Sequence, residues 1–328
     1  MGKHAMRRVL VTGSLGQIGS ELALALCDHY GADNVITSDV RPDEGGIFSG
    51  TCSFERLDVL SAEKVETAVK KNRIDVIYHL AAVLSAIAEE NPQRAWKINM
   101  DGLYNILETA RANNCSVFFP SSIGVFGPST PLDATPQETI MRPHSMYGIT
   151  KLSGEVLCDY YFRRYGVDTR GVRYPGIISN GTLPGGGTTD YAVEIFYAAV
   201  TTGSYTCFLK ENTSLDMMYM PDAIKAAIEV MEAEPSKLEH RNAFNVTAMH
   251  FTPAEIAGEI GKHIPGFAIQ YDIDPVRQAI ADSWPNYMDD SAARREWGWN
   301  PDYDLVTMTE DMLKVLRHRH KNGELKTS

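Results

Sequence analysis

Residues 9–19 read Val-Leu-Val-Thr-Gly-Ser-Leu-Gly-Gln-Ile-Gly, and the fold follows from how this stretch changes character half-way. Arg8 to Thr12 is a short apolar run rich in β-branched residues, the pattern of a strand buried on both faces. From Gln17 to Tyr30, Leu22, Ala25 and Leu26 recur at helical spacing. Gly13, Gly16 and Gly19 lie across the change. Glycine permits a tight turn and close backbone approach to a pyrophosphate, and the helix start offers unpaired N–H groups and the positive end of its dipole. Glycines alone mark only turns. Here a strand, a helix and Asp39, twenty residues after Gly19, coincide. An aspartate closing a second strand, Asn34–Ser38, suits a ribose 2′-hydroxyl and repels a 2′-phosphate, so NAD is favoured over NADP; Arg41 nearby weakens that preference.

The alternation continues outward. Ser61 caps a helix running to about Lys71, and Asp75–Leu80 is another strand. Asn91-Pro92 opens a long helix to Ala112, Ser116–Phe119 is a strand, Tyr147–Tyr165 is helical, and Asp168–Arg173 is extended. This βαβ order implies an α/β fold, a doubly wound parallel Rossmann sheet with helices on both faces. After Arg173 the pattern loosens through Pro175, Gly176, Gly181 and Pro184 to Gly187, with later helices at Tyr191–Thr201, Asp222–Ala233 and Thr252–His263. The expected division is residues 1–175 as an NAD-binding domain and 176–328 as a smaller α/β substrate-binding lid, with part of 205–250 returning to the main sheet.

Composition narrows the function classes. The 328 residues carry 31 Lys+Arg against 42 Asp+Glu, a net charge of −11, which disfavours nucleic acid as a partner. The longest apolar runs fall short of the ~20 residues that span a bilayer. The start lacks a secretory apolar segment, and Met6 leaves residues 1–5 readable as an appended leader. Five cysteines at scattered positions argue against a disulfide framework or a zinc site, and for a reducing, intracellular compartment.

The spacing Gly-x-x-Gly-x-x-Gly resembles the short-chain dehydrogenase/reductase superfamily in its extended branch, the branch of UDP-galactose 4-epimerase. That resemblance implies cofactor contacts from Gly13, Gly16, Gln17, Ile18 and Gly19, from Asp39, from Asp58 after the third strand, and from Leu80-Ala81-Ala82 after the fourth. It adds Asn99 as the family's structural asparagine, with Tyr174 and Ile177.

Tyr147 and Lys151 lie one helical turn apart on one face. A free tyrosine, with pKa ~10, is a poor base at neutral pH. An adjacent ammonium and the positive nicotinamide of NAD⁺ stabilise the phenolate, which then suits removal of a hydroxyl proton as hydride leaves the same carbon. The loop Pro120-Ser121-Ser122-Ile123-Gly124-Val125-Phe126-Gly127 follows a strand whose C-terminal end opens at the ligand crevice. Ser122 matches the family's catalytic serine, with Ser121 as a second substrate contact.

Extended members mostly act on sugar nucleotides and often carry, after the sixth strand, an asparagine that contacts the diphosphate. This chain has Gly176 there. Downstream, Thr188-Thr189-Asp190 precede a helix, where hydroxyls can take a carboxylate and Asp190 an ammonium, the two ends of an amino acid. These residues could equally cap the helix alone.

Gly-Gly-Gly-Thr-Thr-Asp-Tyr-Ala, Arg-Tyr-Pro-Gly-Ile-Ile, Leu-Asp-Met-Met-Tyr-Met-Pro-Asp-Ala and Ser-Trp-Pro are similar to the short-chain L-threonine 3-dehydrogenases. The resemblance implies NAD-dependent oxidation of the L-threonine 3-hydroxyl to L-2-amino-3-ketobutyrate. It implies substrate contacts from Ser85, Gly186, Thr188, Thr189, Asp190 and Trp284, the last being readable also as a packing residue. No metal is implied. It further implies a homodimer through helices Pro92–Ala112 and Tyr147–Tyr165, whose apolar positions intrachain packing would also explain. Its relatives are mitochondrial in eukaryotes and cytoplasmic in bacteria. Two other readings stand beside it: an NAD-dependent UDP-sugar 4-epimerase or dehydratase, and a non-catalytic dinucleotide sensor.

Overall fold

The computed structural model describes residues 7–181 and 187–325. They form two compact units: Met1–Val125, His144–Arg173 and Ile224–Phe244 in the first, and Phe126–Pro143, Tyr174–Ala223 and Asn245–Ser328 in the second.

The first unit is built on β1 (Val9–Thr12), α1 (Gln17–Tyr30), β2 (Val35–Asp39), β3 (Ser53–Arg56), α2 (Ala62–Asn72) and β4 (Val76–His79). Next come α3 (Ser85–Glu90), α4 (Pro92–Trp96), α5 (Gly102–Asn113), β5 (Ser116–Phe118), β6 (Ser121–Ser122), α6 (Met146–Tyr165), β7 (Thr169–Arg170) and β8 (Val172–Tyr174). Six strands pair in the order β3-β2-β1-β4-β5-β7. Every pair is parallel, the doubly wound order whose chain reversal falls beside β1. β1, β2 and β4 are buried throughout, and β1 and β4 read as largely apolar runs for that reason, whereas β2 ends in Thr37-Ser38-Asp39.

Two features depart from the sequence reading. The helix expected from Pro92 to Ala112 is α4 and α5 joined by a π-helical turn, Lys97–Asp101. Such turns commonly occur at functional sites, and this one carries Asn99. Cys27 and Cys52 are joined by one disulfide, which the scattered cysteine positions did not suggest. Their Cα atoms stand 6.5 Å apart because α1 and the segment before β3 pass each other, a proximity that sequence spacing does not reveal. The other three cysteines are free and buried.

The later part of this unit includes most of α8 (Met220–Glu232). Gly171 N donates to Arg241 O at 2.9 Å and Phe244 N to Gly171 O at 2.9 Å. Arg170, 1% exposed, sends Nη1 to the carbonyls of Val230 (2.8 Å) and Ala233 (2.7 Å), and grips Asp168 through Nε and Nη2. It thereby satisfies carbonyls that the end of α8 leaves open.

The second unit has its own core of Phe196, Met217, Phe251, Ile260, Met312 and Leu316. Its strands include β9 (Gly176–Ile178) and β10 (Leu215–Tyr219) paired in parallel, with β11 (Met249–Phe251) antiparallel on the other side of β10. α7 is Tyr191–Thr201. Among the described residues no helix is long and apolar enough to cross a membrane.

Replacing Arg170 by methionine strands the carbonyls of Val230 and Ala233 and leaves Asp168 with Arg241. Urea denaturation is expected to show a loss of about 3 kcal/mol with an unchanged m-value; a midpoint equal to that of the parent refutes the capping role.

Candidate active site

The phosphate loop is made by contacts that only glycine allows. Gly13 has φ +71°, and a Cβ there would stand 2.5 Å from Ala81 N; one on Gly19 would stand 2.3 Å from Gly13 O. The loop is closed by Gly16 N to Gly13 O (3.1 Å) and tied to β2 by Ser14 N to Ser38 O (2.9 Å). α1 starts at Gly16 without a side-chain cap, so its first N–H groups are open to an anion. Ser14 Oγ and Gln17 Nε2 are buried in this loop with no hydrogen-bond partner. Buried polar atoms are ordinarily satisfied, and a dinucleotide laid across the loop gives them partners. The residues present fit NAD on that ground. Ile18, half-buried, follows on the same turn.

Asp39, 6% exposed, accepts from Leu15 N (3.1 Å) and Arg41 N (3.0 Å). Arg41 also reaches it through Nε (3.0 Å) and Nη2 (3.1 Å). Burial pushes its carboxyl up, but the Arg41 and backbone hydrogen bonds outweigh this and hold it below the usual value. The carboxylate expected at the ribose is thus shared with Arg41. Asp58 is exposed and turns the chain into α2 by accepting from Leu60 N at 2.9 Å.

Leu80, Ala81 and Ala82 are half-buried where β4 ends, Leu80 N bonding Thr12 O at 3.0 Å. Asn99 locks the next residue, Val83. Its Oδ1 accepts from Val83 N (2.7 Å), and its Nδ2 donates to Val83 O (3.2 Å) and to Thr150 Oγ1 (3.0 Å). Thr150 sits between Tyr147 and Lys151, so one buried amide joins the β4 exit to α6.

Ser145 caps α6 by accepting from Gly148 N at 3.1 Å. Tyr147 therefore lies in the first turn, where the helix dipole favours a phenolate. Ser122 is hydrogen-bonded to Tyr147, and its Oγ accepts from Gly124 N at 3.1 Å. Burial raises the Tyr147 pKa above the ordinary phenol value, and the Ser122 bond opposes this. Lys151 is 5% exposed; its Nζ donates to Pro120 O at 2.7 Å and lies 5.7 Å from the Tyr147 ring centroid. Burial pushes its ammonium down to about 8. The phenolate-stabilising effect expected of Lys151 is thus not visible in the tyrosine's own environment; the helix start and Ser122 act there instead.

Two neighbours escaped the sequence reading. His79 is buried, with Nδ1 2.9 Å from Thr12 Oγ1; burial, then the charge of Lys151, push it down to about 3, so it stays neutral at any physiological pH. Glu155, one turn beyond Lys151, takes the Ser121 hydroxyl and pairs with Arg173 at 2.9 Å, both side chains 4% exposed. Ser121 is thus turned to Glu155. The signal for Glu155 was present as a third residue at four-residue spacing after Tyr147 and Lys151.

In the second unit, Thr188 and Asp190 are buried and Thr189 is half-buried. Asp190 accepts from Gly187 N, closing the turn before α7, and its side chain makes no cap bond to the helix itself. Gly186 lies outside the described residues. A Cβ on Gly176 would stand 2.4 Å from Met217 Sδ and 2.7 Å from Thr189 Cγ2. Tyr174 is buried with its hydroxyl donating to Ala223 O at 2.6 Å, and Ile177 is half-buried on β9. Trp284 packs against this unit's own core. In the first unit, Ser85 opens α3 and is half-buried.

A doubly wound sheet, an open glycine loop at its first helix, and a Ser–Tyr–Lys group beside β4 define a dinucleotide-dependent enzyme. Residues 9–247 match the NAD dependent epimerase/dehydratase family, and the chain belongs to it. Among curated proteins it is 53% identical to an uncharacterized epimerase/dehydratase of Staphylococcus haemolyticus, over 97% of this chain and 100% of that one. Among solved structures it is similar to an L-threonine dehydrogenase from Clostridium difficile: TM-score 0.95, 53% identity, covering 96% of this chain and 99% of that one. It is also similar to the holo form of a GalE-like L-threonine dehydrogenase from Cupriavidus necator: TM-score 0.91, 52% identity, covering 94% and 99%.

The Lys151 ammonium is buried, with its folded pKa below the unfolded value, so the unfolded state holds the proton more tightly and stability rises with pH from about 8 toward the unfolded value. At pH 7 the charge is therefore a cost to folding. Lys151→Met is expected to melt no lower than the parent at pH 7 by calorimetry; a lower melting temperature shows that the bond to Pro120 outweighs the buried charge.

Proposed function

We propose that the chain is an NAD-dependent L-threonine 3-dehydrogenase, oxidising the 3-hydroxyl to L-2-amino-3-ketobutyrate. The carrying observation is Gly176. Its missing side chain is replaced by the methyl group of Thr189 and the sulfur of Met217, so the place of a diphosphate-binding side chain is filled. Similarity over nearly the whole chain to structures of L-threonine dehydrogenases supports the same reading.

In this reading most NAD contacts come from the first unit. Gly13, Gly16, Gln17, Ile18 and Gly19 take the pyrophosphate, Asp39 the ribose, and Asp58, Leu80, Ala81, Ala82 and Asn99 line the rest, with Tyr174 and Ile177 of the second unit as the remaining contacts. Bound there, NAD would supply the acceptor for the hydride of the carbon bearing the hydroxyl. Ser122 holds that hydroxyl, and Tyr147 removes its proton as the carbon–hydrogen bond breaks. Lys151 binds the nicotinamide ribose and returns the proton to solvent. Thr188, Thr189 and Asp190 of the second unit take the amino-acid end, with Ser85 of the first unit and Trp284 of the second as further contacts.

A homodimer belongs to the same proposal. Tyr104 on α5 is 52% exposed, and Val156 and Tyr160 on α6 are 61% and 51% exposed. A shallow apolar cleft beside them is lined by Met100, Leu152, Leu157 and Tyr160. A second copy covers that face. Sedimentation is expected to give a dimer for the parent and a monomer for Val156→Glu; a monomeric parent refutes the dimer.

The activity test is NADH absorbance with NAD⁺ and L-threonine, L-serine, L-allo-threonine or UDP-glucose offered separately. Steady NADH formation is expected with L-threonine. Tyr147→Phe should reduce kcat by at least about a hundredfold while NAD still binds. Since the phenolate is the working form, kcat/KM should climb as pH rises from 6, until loss of the Lys151 proton opens a falling alkaline limb. Epimer formation from the UDP-sugar, with no amino acid oxidised, would overturn the proposal in favour of an epimerase.

A further inference from the structure

Pro120, Ser121 and Ser122 are consecutive residues leaving β5, and two of them are clipped to α6. Pro120 O receives Lys151 Nζ at 2.7 Å. The Ser121 hydroxyl donates to Glu155 Oε1. Glu155 is in turn held by Arg173 on β8, through Nε at 3.1 Å to Oε1 and Nη2 at 2.9 Å to Oε2. The next residue is Ser122, which must meet Tyr147 on the same helix. Room there is small: a Cβ on Gly124 would stand 3.3 Å from the Tyr147 ring and 3.5 Å from Ser122 Oγ.

We propose that Ser121, Glu155 and Arg173 form a positioning clamp that sets Ser122 against Tyr147 and governs the charge around Lys151. None of the three needs to touch substrate or cofactor. A buried ion pair is costly to assemble unless its remaining hydrogen bonds are made, and Ser121 supplies one of them. The pair does a task that a hydrophobic substitute of equal volume cannot: it pulls the loop to the helix at a fixed distance, and it places a carboxylate one turn from the catalytic ammonium. Among the described residues the ionisable groups facing Lys151 are Tyr147, Glu155 and Cys158 on α6 and His79 on β4, with Arg173 beyond Glu155. His79 is held neutral by burial, and burial pushes the Cys158 thiol up so that it stays protonated. Glu155 and Arg173 are the fixed charges of this group, and Glu155 acts to raise the Lys151 pKa against burial.

The clamp rests on the dehydrogenase reading, and the parent enzyme is the control for that reading. If the parent makes no NADH from L-threonine, that reading fails; if it does, ratios of variant to parent test the clamp alone. The full chain is assayed for kcat and KM across pH. Ser121→Ala leaves the ion pair intact and is expected to lower kcat by about tenfold through misplacement of Ser122. The KM for L-threonine should hold; a rise in that KM with kcat unchanged would make Ser121 a substrate contact and overturn the clamp.

Charge is read from the alkaline limb, where Lys151 loses its proton. Glu155→Gln should move that limb to lower pH by about one unit, and Arg173→Gln should move it the opposite way. Limbs that stay with the parent's in both variants overturn the electrostatic half. Should either lone buried charge prevent folding, Glu155→Gln combined with Arg173→Gln leaves none. That double variant is expected to lose kcat as Ser121→Ala does, and a parent-like kcat overturns the clamp.

Discussion

The hydrogen bond from Lys151 to the carbonyl of Pro120 is the contact on which this site depends. It fastens the first turns of α6 to the exit of β5, and so fastens the helix carrying Tyr147 to the loop carrying Ser122. A carbonyl just past a strand end has no ladder partner, and a buried ammonium has no water; each supplies what the other lacks. Asn99 makes the second such tie, from the exit of β4 to Thr150. Helix and strand ends are thus held by side chains at the positions where backbone pairing stops.

Much of this was legible in the sequence. Apolar runs gave β1, β4 and β5 because a parallel sheet covered on both faces has no polar side to interrupt them. Gly13, Gly16 and Gly19 were readable because close approach leaves no alternative residue. Ser122, Tyr147 and Lys151 come together in the structure, the pair on one helix face being a matter of spacing and the serine a matter of strand order. What escaped was set by long-range proximity. Cys27 and Cys52 meet across elements separated by 25 residues. Ser121 turns away from Ser122 because adjacent residues on an extended segment point to opposite faces, and only the packed helix shows that Glu155 waits on that side. His79 is polar in sequence but lies buried at a strand end. The π-helical turn at Lys97–Asp101 leaves no mark in an apolar pattern that reads as one helix.

The family to which the chain belongs contains epimerases and dehydratases, and its cofactor parts are common to both chemistries. The discrimination therefore falls on the second unit, and there on shape. Gly176 is closely overlaid by Thr189 and Met217, so the position speaks through its surroundings more than through the residue itself. Asp190, by contrast, is engaged with Gly187 in closing its turn, which makes it a less direct witness to a bound ammonium than the sequence suggested.

The wide turn that carries Asn99 has a bearing on how this chain can vary. A π turn holds one more residue than an α turn, and each helical residue advances by about 100°. Excising one residue between Asp101 and Tyr104, where the winding is α-helical, would rotate Asn99 against what remains of α5 by about that angle. Asn99 could then no longer face Val83 and Thr150 while Tyr104 kept its outward aspect. Substitutions in this helix are local events, but a change of its length is a change of phase. Insertions and deletions are therefore expected to be harmful here.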